Sequence, residues 1–112
     1  MGKTDYYTIV AKILVYLYKK YKHINSDEDY IVPMTKDFPI SEDQLLETIT
    51  MMEEQKFIKG NIVKAWGGDI VTVDYQSLKI TPEGIDYLQD NSKIKKICET
   101  LKEAKTIWEL FL

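Results

Sequence analysis

The stretch LKITPEGIDYL, residues 78–88, begins with the alternation of a strand and ends with the spacing of a helix. Between the two halves lie Thr81, Pro82, Glu83 and Gly84, in a chain of 112 residues with only three prolines and five glycines. Threonine before proline is a helix start: the Thr81 hydroxyl can accept from an orphan amide, and Pro82 sits where a missing N–H costs nothing. Ile85 and Leu88 then face inward. Gly84 is the odd residue, because glycine inside a helix costs about 1 kcal/mol against alanine. A close backbone neighbour would account for it. The stretch therefore turns an extended segment, Leu78 to Ile80, into a helix.

Working back from this hinge, two strand-like runs, residues 62–65 and 70–75, flank Trp66-Gly67-Gly68-Asp69. A Gly-Gly turn supplies the positive φ angles of a tight hairpin. The implied register sets Ile62 opposite Val73 and Lys64 opposite Val71. Before the hairpin, Ser41-Glu42-Asp43-Gln44 has the pattern of a capping box. It starts a helix over 41–56 that buries Leu45, Leu46, Ile49 and Met52, and Phe57-Ile58 then opens another extended run.

At the start of the chain, residues 5–22 form a helix with Asp5 as its cap. Tyr6, Ile9, Val10, Ile13, Leu14, Leu17 and Tyr21 mark one face, and Tyr7, Ala11, Val15 and Tyr18 widen it. So wide a stripe predicts packing on more than one side. Residues 23–40 contain the acidic run Asp27-Glu28-Asp29, with Tyr30-Ile31-Val32 as a short strand and one helical turn from Thr35 to Phe38. Asn91-Ser92 separates the hinge helix from a last helix over 93–110, whose stripe is Ile94, Ile97, Cys98, Leu101, Ala104 and Trp108.

This order is helix, loop, helix, hairpin, helix, helix, all in one domain spanning 1–112. A capped helix, a two-stranded wing and a Thr-x-x-Gly helix start make an α+β, winged helix-turn-helix-like domain with a two- to three-stranded antiparallel wing and an extra C-terminal helix. The stretches SEDQLLETITMMEEQKFIKG and LKITPEGIDYL carry a more particular likeness. Through them the chain resembles the YjcQ family, small winged-helix proteins of Gram-positive bacteria and their phages, over roughly residues 5–108. The resemblance implies a prophage setting and a structural role in a phage as one alternative. It brings no catalytic residues with it.

Charge bears on partners. All fifteen basic residues are lysine, and the formal net charge is −3. Arginine supplies the planar fork that reads guanine edges and grips phosphates, so its absence handicaps a DNA reader. Residues 41–60 hold five acids against two lysines. In a DNA-binding winged helix the 41–56 helix would enter the major groove, and here that surface repels phosphates. A DNA-binding transcriptional regulator is the alternative reading. It would rest on Thr48, Met51 and Gln55, with Lys64 on the wing.

The leading expectation is a non-catalytic protein-binding module, with a protein partner or a second copy bound through Trp66 and Lys64 on the wing and Trp108, Phe111 and Leu112 in the tail. For Trp66 the bland alternative is that it folds back over the hairpin. For the terminal helices it is that they pack on one another within the chain. Residues 1–22 carry five lysines and one acid, and residues 93–110 five lysines and three acids. If the two helices are neighbours, those lysines form a basic patch or simply a solvated face.

No enzyme is expected. His23 has no acid or nucleophile near it in sequence, and Cys98 lies on an apolar stripe. Asp27-Glu28-Asp29 lacks the glycine and spaced oxygens of a calcium loop. Gly67-Gly68 is followed by neither lysine nor helix, so it is no phosphate loop. No cofactor, metal or small-molecule ligand is implied. The single cysteine fits a reducing compartment. The apolar run Ile9 to Tyr18 is too short for a membrane span, which points to the cytoplasm.

Overall fold

The computed structural model describes residues 6–23, 31, 33–35, 38–65, 67 and 70–100. Within them, helix α1 (Tyr6–Tyr21) and helix α2 (Glu42–Glu54) precede two short strands, β1 (Ile58–Lys59) and β2 (Ile62–Lys64). Strand β3 (Ile70–Val73), a 3-10 turn (Tyr75–Ser77) and strand β4 (Lys79–Ile80) follow, and helices α3 (Pro82–Asp90) and α4 (Ser92–Thr100) complete the described residues. This is a winged-helix-like α+β fold with two small antiparallel sheets, β1 with β4 and β2 with β3.

Helix α1 is the centre of the core. Ile9, Val10, Ala11, Ile13 and Leu14 are fully buried, and Val15, Leu17 and Tyr18 nearly so. It packs on α2, α3, α4 and β4 at once, which explains why its apolar stripe is so wide. The stripe ends earlier than the sequence spacing predicts: Tyr21 is 62% exposed, lying beside Tyr18 with ring centroids 6.1 Å apart. The helix closes at His23, whose left-handed φ of 58° lets its amide donate to the Lys20 carbonyl. Asp5 lies outside the described residues.

Helix α2 starts as its sequence predicts, with the Ser41 hydroxyl accepting from the Gln44 amide. Leu45, Ile49 and Met52 are fully buried, while Leu46 is partly exposed. It ends in a Schellman turn. The Phe57 amide donates to Met52 O and the Lys56 amide to Glu53 O, with Lys56 at φ 65°.

The wing departs from the sequence expectation in length and in register: its strands cover 62–64 and 70–73 where the sequence predicts 62–65 and 70–75, and Tyr75 opens the 3-10 turn. Ile62 does face Val73, but Lys64 faces Ile70 instead of Val71, because the register shifts between Val63 and Lys64. An irregularity of this kind adds local twist. It occurs one residue before Ala65, where the strand gives way to the turn. Gly67 has φ 90°, the conformation expected of this turn.

The hinge at 78–88 forms a single bolted joint. The Thr81 hydroxyl accepts from the Gly84 amide at 3.1 Å and donates to Lys56 O. The Thr81 amide donates to Phe57 O at 3.1 Å, continuing the β1–β4 ladder into the helix start. Asn91 repeats the capping device, its side-chain oxygen accepting from the Lys93 and Ile94 amides. Helix α4 then buries Ile94 and Ile97. Of the proposed strand 30–32 only Ile31 is described; it is buried and is not in a strand. Thr35 and Phe38 form a turn in which the Phe38 amide donates to the Thr35 hydroxyl, with residues 36 and 37 outside the description.

Candidate interaction surface

Helix α2 presents two faces. The inner face packs against α1 and β3. On the outer face Glu42, Asp43, Glu47, Met51 and Glu54 are exposed, and Met51 is 48% accessible. At 100° per residue, Asp43, Glu47, Met51 and Glu54 fall within one narrow arc. Asp43 and Glu47 stand four residues apart, where like charges repel. Glu54 stands at the helix C-terminus, where the dipole disfavours an anion. The surface that would face DNA in a nucleic-acid-binding winged helix is therefore carboxylate-rich around one exposed methionine.

Among the residues expected to read DNA, Thr48 is not available. It is 5% exposed, and its hydroxyl donates to the Gln44 carbonyl at 2.8 Å. Position 48 falls on the turn of the helix that meets the core, which the polar residue type conceals in the sequence. Met51 is exposed, and Gln55, also exposed, forms the C-cap. Lys64 on the wing is held by Glu53, with Nζ 3.2 Å from Oε1. That pair ties the wing to α2 and neutralises the wing lysine. Trp66, Trp108, Phe111 and Leu112 lie outside the described residues.

The lysine-rich helices α1 and α4 are neighbours, as the basic-patch expectation requires. Two of their lysines have structural occupations. Lys93 Nζ sits 4.0 Å from the centroid of the Tyr7 ring. Lys20 Nζ donates to the carbonyls of Gln76 and Leu78, tying the end of α1 to the strand that enters the hinge.

Around these elements lies a set of aromatic contacts. Phe57 and Tyr87 stack at 4.2 Å, and Tyr6 meets Tyr7 edge-on at 5.1 Å. Burial raises the pKa of Tyr6 and Tyr87, and neighbouring tyrosine hydroxyls add to it. Tyr75 is raised by burial and then by the negative charge of Glu42. Its hydroxyl is buried without a hydrogen-bond partner among the described residues.

His23 is exposed at the end of α1. The side chain of Cys98 and the run 27–29 lie outside the description. Among the described residues no three His, Cys, Asp or Glu side chains converge as metal ligands, and no helix is long and apolar enough to cross a membrane.

The helix order, the capped α2 and the wing that follows it define a winged-helix-like domain whose would-be recognition helix is acidic. The chain belongs to the YjcQ protein family, whose model matches residues 11–107. No curated protein and no solved structure matches it.

Proposed function

We propose that this YjcQ-family domain acts without catalysis, as a module that binds another protein or a second copy of itself. The observation that carries the reading is the exposed acidic arc of α2, in a chain without arginine. A helix of that charge gains nothing from releasing counterions at a phosphate backbone, whereas carboxylates around an exposed methionine suit a protein surface bearing lysine or arginine. Trp66 and Lys64 on the wing, and Trp108, Phe111 and Leu112 near the end of the chain, are the other contacts in this reading. A cytoplasmic setting, in a bacterium or its prophage, belongs to the same proposal.

The alternative of a DNA-binding regulator rests on Met51, Gln55 and Lys64, and burial of Thr48 and the ion pair on Lys64 weigh against it. A role as a phage structural component follows from the family likeness and is one form that protein binding would take.

Affinity capture from a lysate of the encoding organism tests the proposal. The immobilised chain is compared with a Trp66→Ala/Lys64→Ala variant. A protein retained by the first and lost by the second supports the reading. Retention of nucleic acid alone overturns it.

A further inference from the structure

The β1–β4 pair carries an electrostatic cost that the fold does not require. Ile58 faces Ile80 and Lys59 faces Lys79 in register. The two isoleucines are buried, so the two lysines share the opposite, exposed face. Directly opposed residues in an antiparallel pair have Cβ atoms about 5 Å apart, and like charges at that spacing repel. Neither lysine has an acidic partner among the described residues. Any uncharged polar residue would keep this face soluble without the repulsion.

Helix α2 carries the same feature with the opposite sign. Asp43 and Glu47 repel across one turn, and Glu54 opposes the helix dipole. None of the three has a cationic partner among the described residues. Met51, 48% exposed, lies beside Glu47 and Glu54 and supplies an apolar centre between the charges.

We propose that these two surfaces are complementary: the Asp43–Glu47–Glu54 arc of one molecule docks against the Lys59–Lys79 pair of a second copy of this chain. The occupant of each surface is thus the other surface, and each relieves the repulsion within its partner. Nucleic acid is the less fitting occupant of the lysine pair, because the acidic arc of the same domain repels phosphates. The inference rests on the protein-binding reading above and names the partner.

Two charge-reversed variants test it. One carries Lys59→Glu with Lys79→Glu, and the other carries Asp43→Lys, Glu47→Lys and Glu54→Lys. All five altered positions are exposed, and circular dichroism checks that each variant is folded. Sedimentation velocity at about 100 µM protein is run in about 50 mM and about 500 mM salt, across which the screening length falls several-fold. The wild type is expected to self-associate at the lower salt and dissociate at the higher. Each variant alone is expected to remain monomeric, and an equimolar mixture of the two to associate again, because reversal on both sides restores opposite charges. A wild type that stays monomeric at low salt overturns the inference. So does association that survives in either variant alone, or a mixture that does not assemble. A monomeric chain that still captures a different protein through Trp66 and Lys64 would leave the protein-binding reading intact while removing this one.

Discussion

The carbonyl oxygen of Phe57 occupies the place where a side chain on Gly84 would begin. A Cβ built on Gly84 would penetrate that oxygen, lie 3.1 Å from the carbonyl carbon and fall 2.9 Å from Ile80 Cγ1. The same carbonyl accepts from the Thr81 amide, so it cannot move away without breaking the ladder that leads into α3. The glycine thus lets the first turn of α3 close against the turn that ends α2.

Gly84→Ala is therefore expected to destabilise the domain by about 2 kcal/mol or more, through backbone overpacking. Helix propensity alone would give the opposite sign, a gain of about 1 kcal/mol. Urea unfolding of the two proteins decides between them by the direction of the midpoint shift.

Lys56 is the reverse case. It holds φ 65° at the residue after the α2 cap, a position that glycine occupies with less strain. Lys56→Gly is expected to stabilise by up to about 1 kcal/mol, seen as a higher urea midpoint with an unchanged slope.

Thr81 works through one hydroxyl used twice, as acceptor from Gly84 N and donor to Lys56 O. Thr81→Ala is expected to cost about 1–2 kcal/mol, and Thr81→Ser to keep most of that stability because it retains the hydroxyl. Equal losses in the two thermal or urea transitions would contradict the capping role.

Much of this joint is legible in the sequence, because caps, proline and glycine act through local backbone rules. Thr81, Ser41 and the odd Gly84 announce themselves by residue type and spacing. The neighbour that makes Gly84 necessary is not legible. Phe57 is distant along the chain and contributes a backbone oxygen, which no side-chain pattern encodes. Periodicity overstates Tyr21, which is exposed, because spacing records a helix face and not what packs against it. The Lys64 register fails for a related reason: strict alternation assumes a regular ladder, and the shift after Val63 breaks it. On the candidate surface, the acidity of α2 can be counted directly, but the burial of Thr48 and the facing of Lys59 by Lys79 depend on packing and strand register.

Alkaline pH is expected to weaken the fold. Burial, followed by nearby charges or hydroxyls, raises the pKa of Tyr6, Tyr75 and Tyr87 above the usual 10.0. The native state therefore holds these protons at pH values where the unfolded chain has released them. Their contribution to stability is complete below about pH 10 and is lost as pH rises through the folded pKa values. Tyr75→Phe removes one of these groups along with a buried hydroxyl that has no partner among the described residues. It is expected to be neutral or stabilising by up to about 1 kcal/mol near pH 7, with a shallower loss of stability above pH 10 in urea titrations.

On the proposed reading, the acidic face of α2 serves protein contact and not nucleic acid. The most direct measurement is fluorescence anisotropy of labelled mixed-sequence duplex DNA titrated with the protein at about 50 and about 200 mM salt. The expected result is no binding at micromolar protein, even at the lower salt. Micromolar binding that falls steeply between the two salt concentrations would contradict it and return the domain to the DNA-reading winged helices.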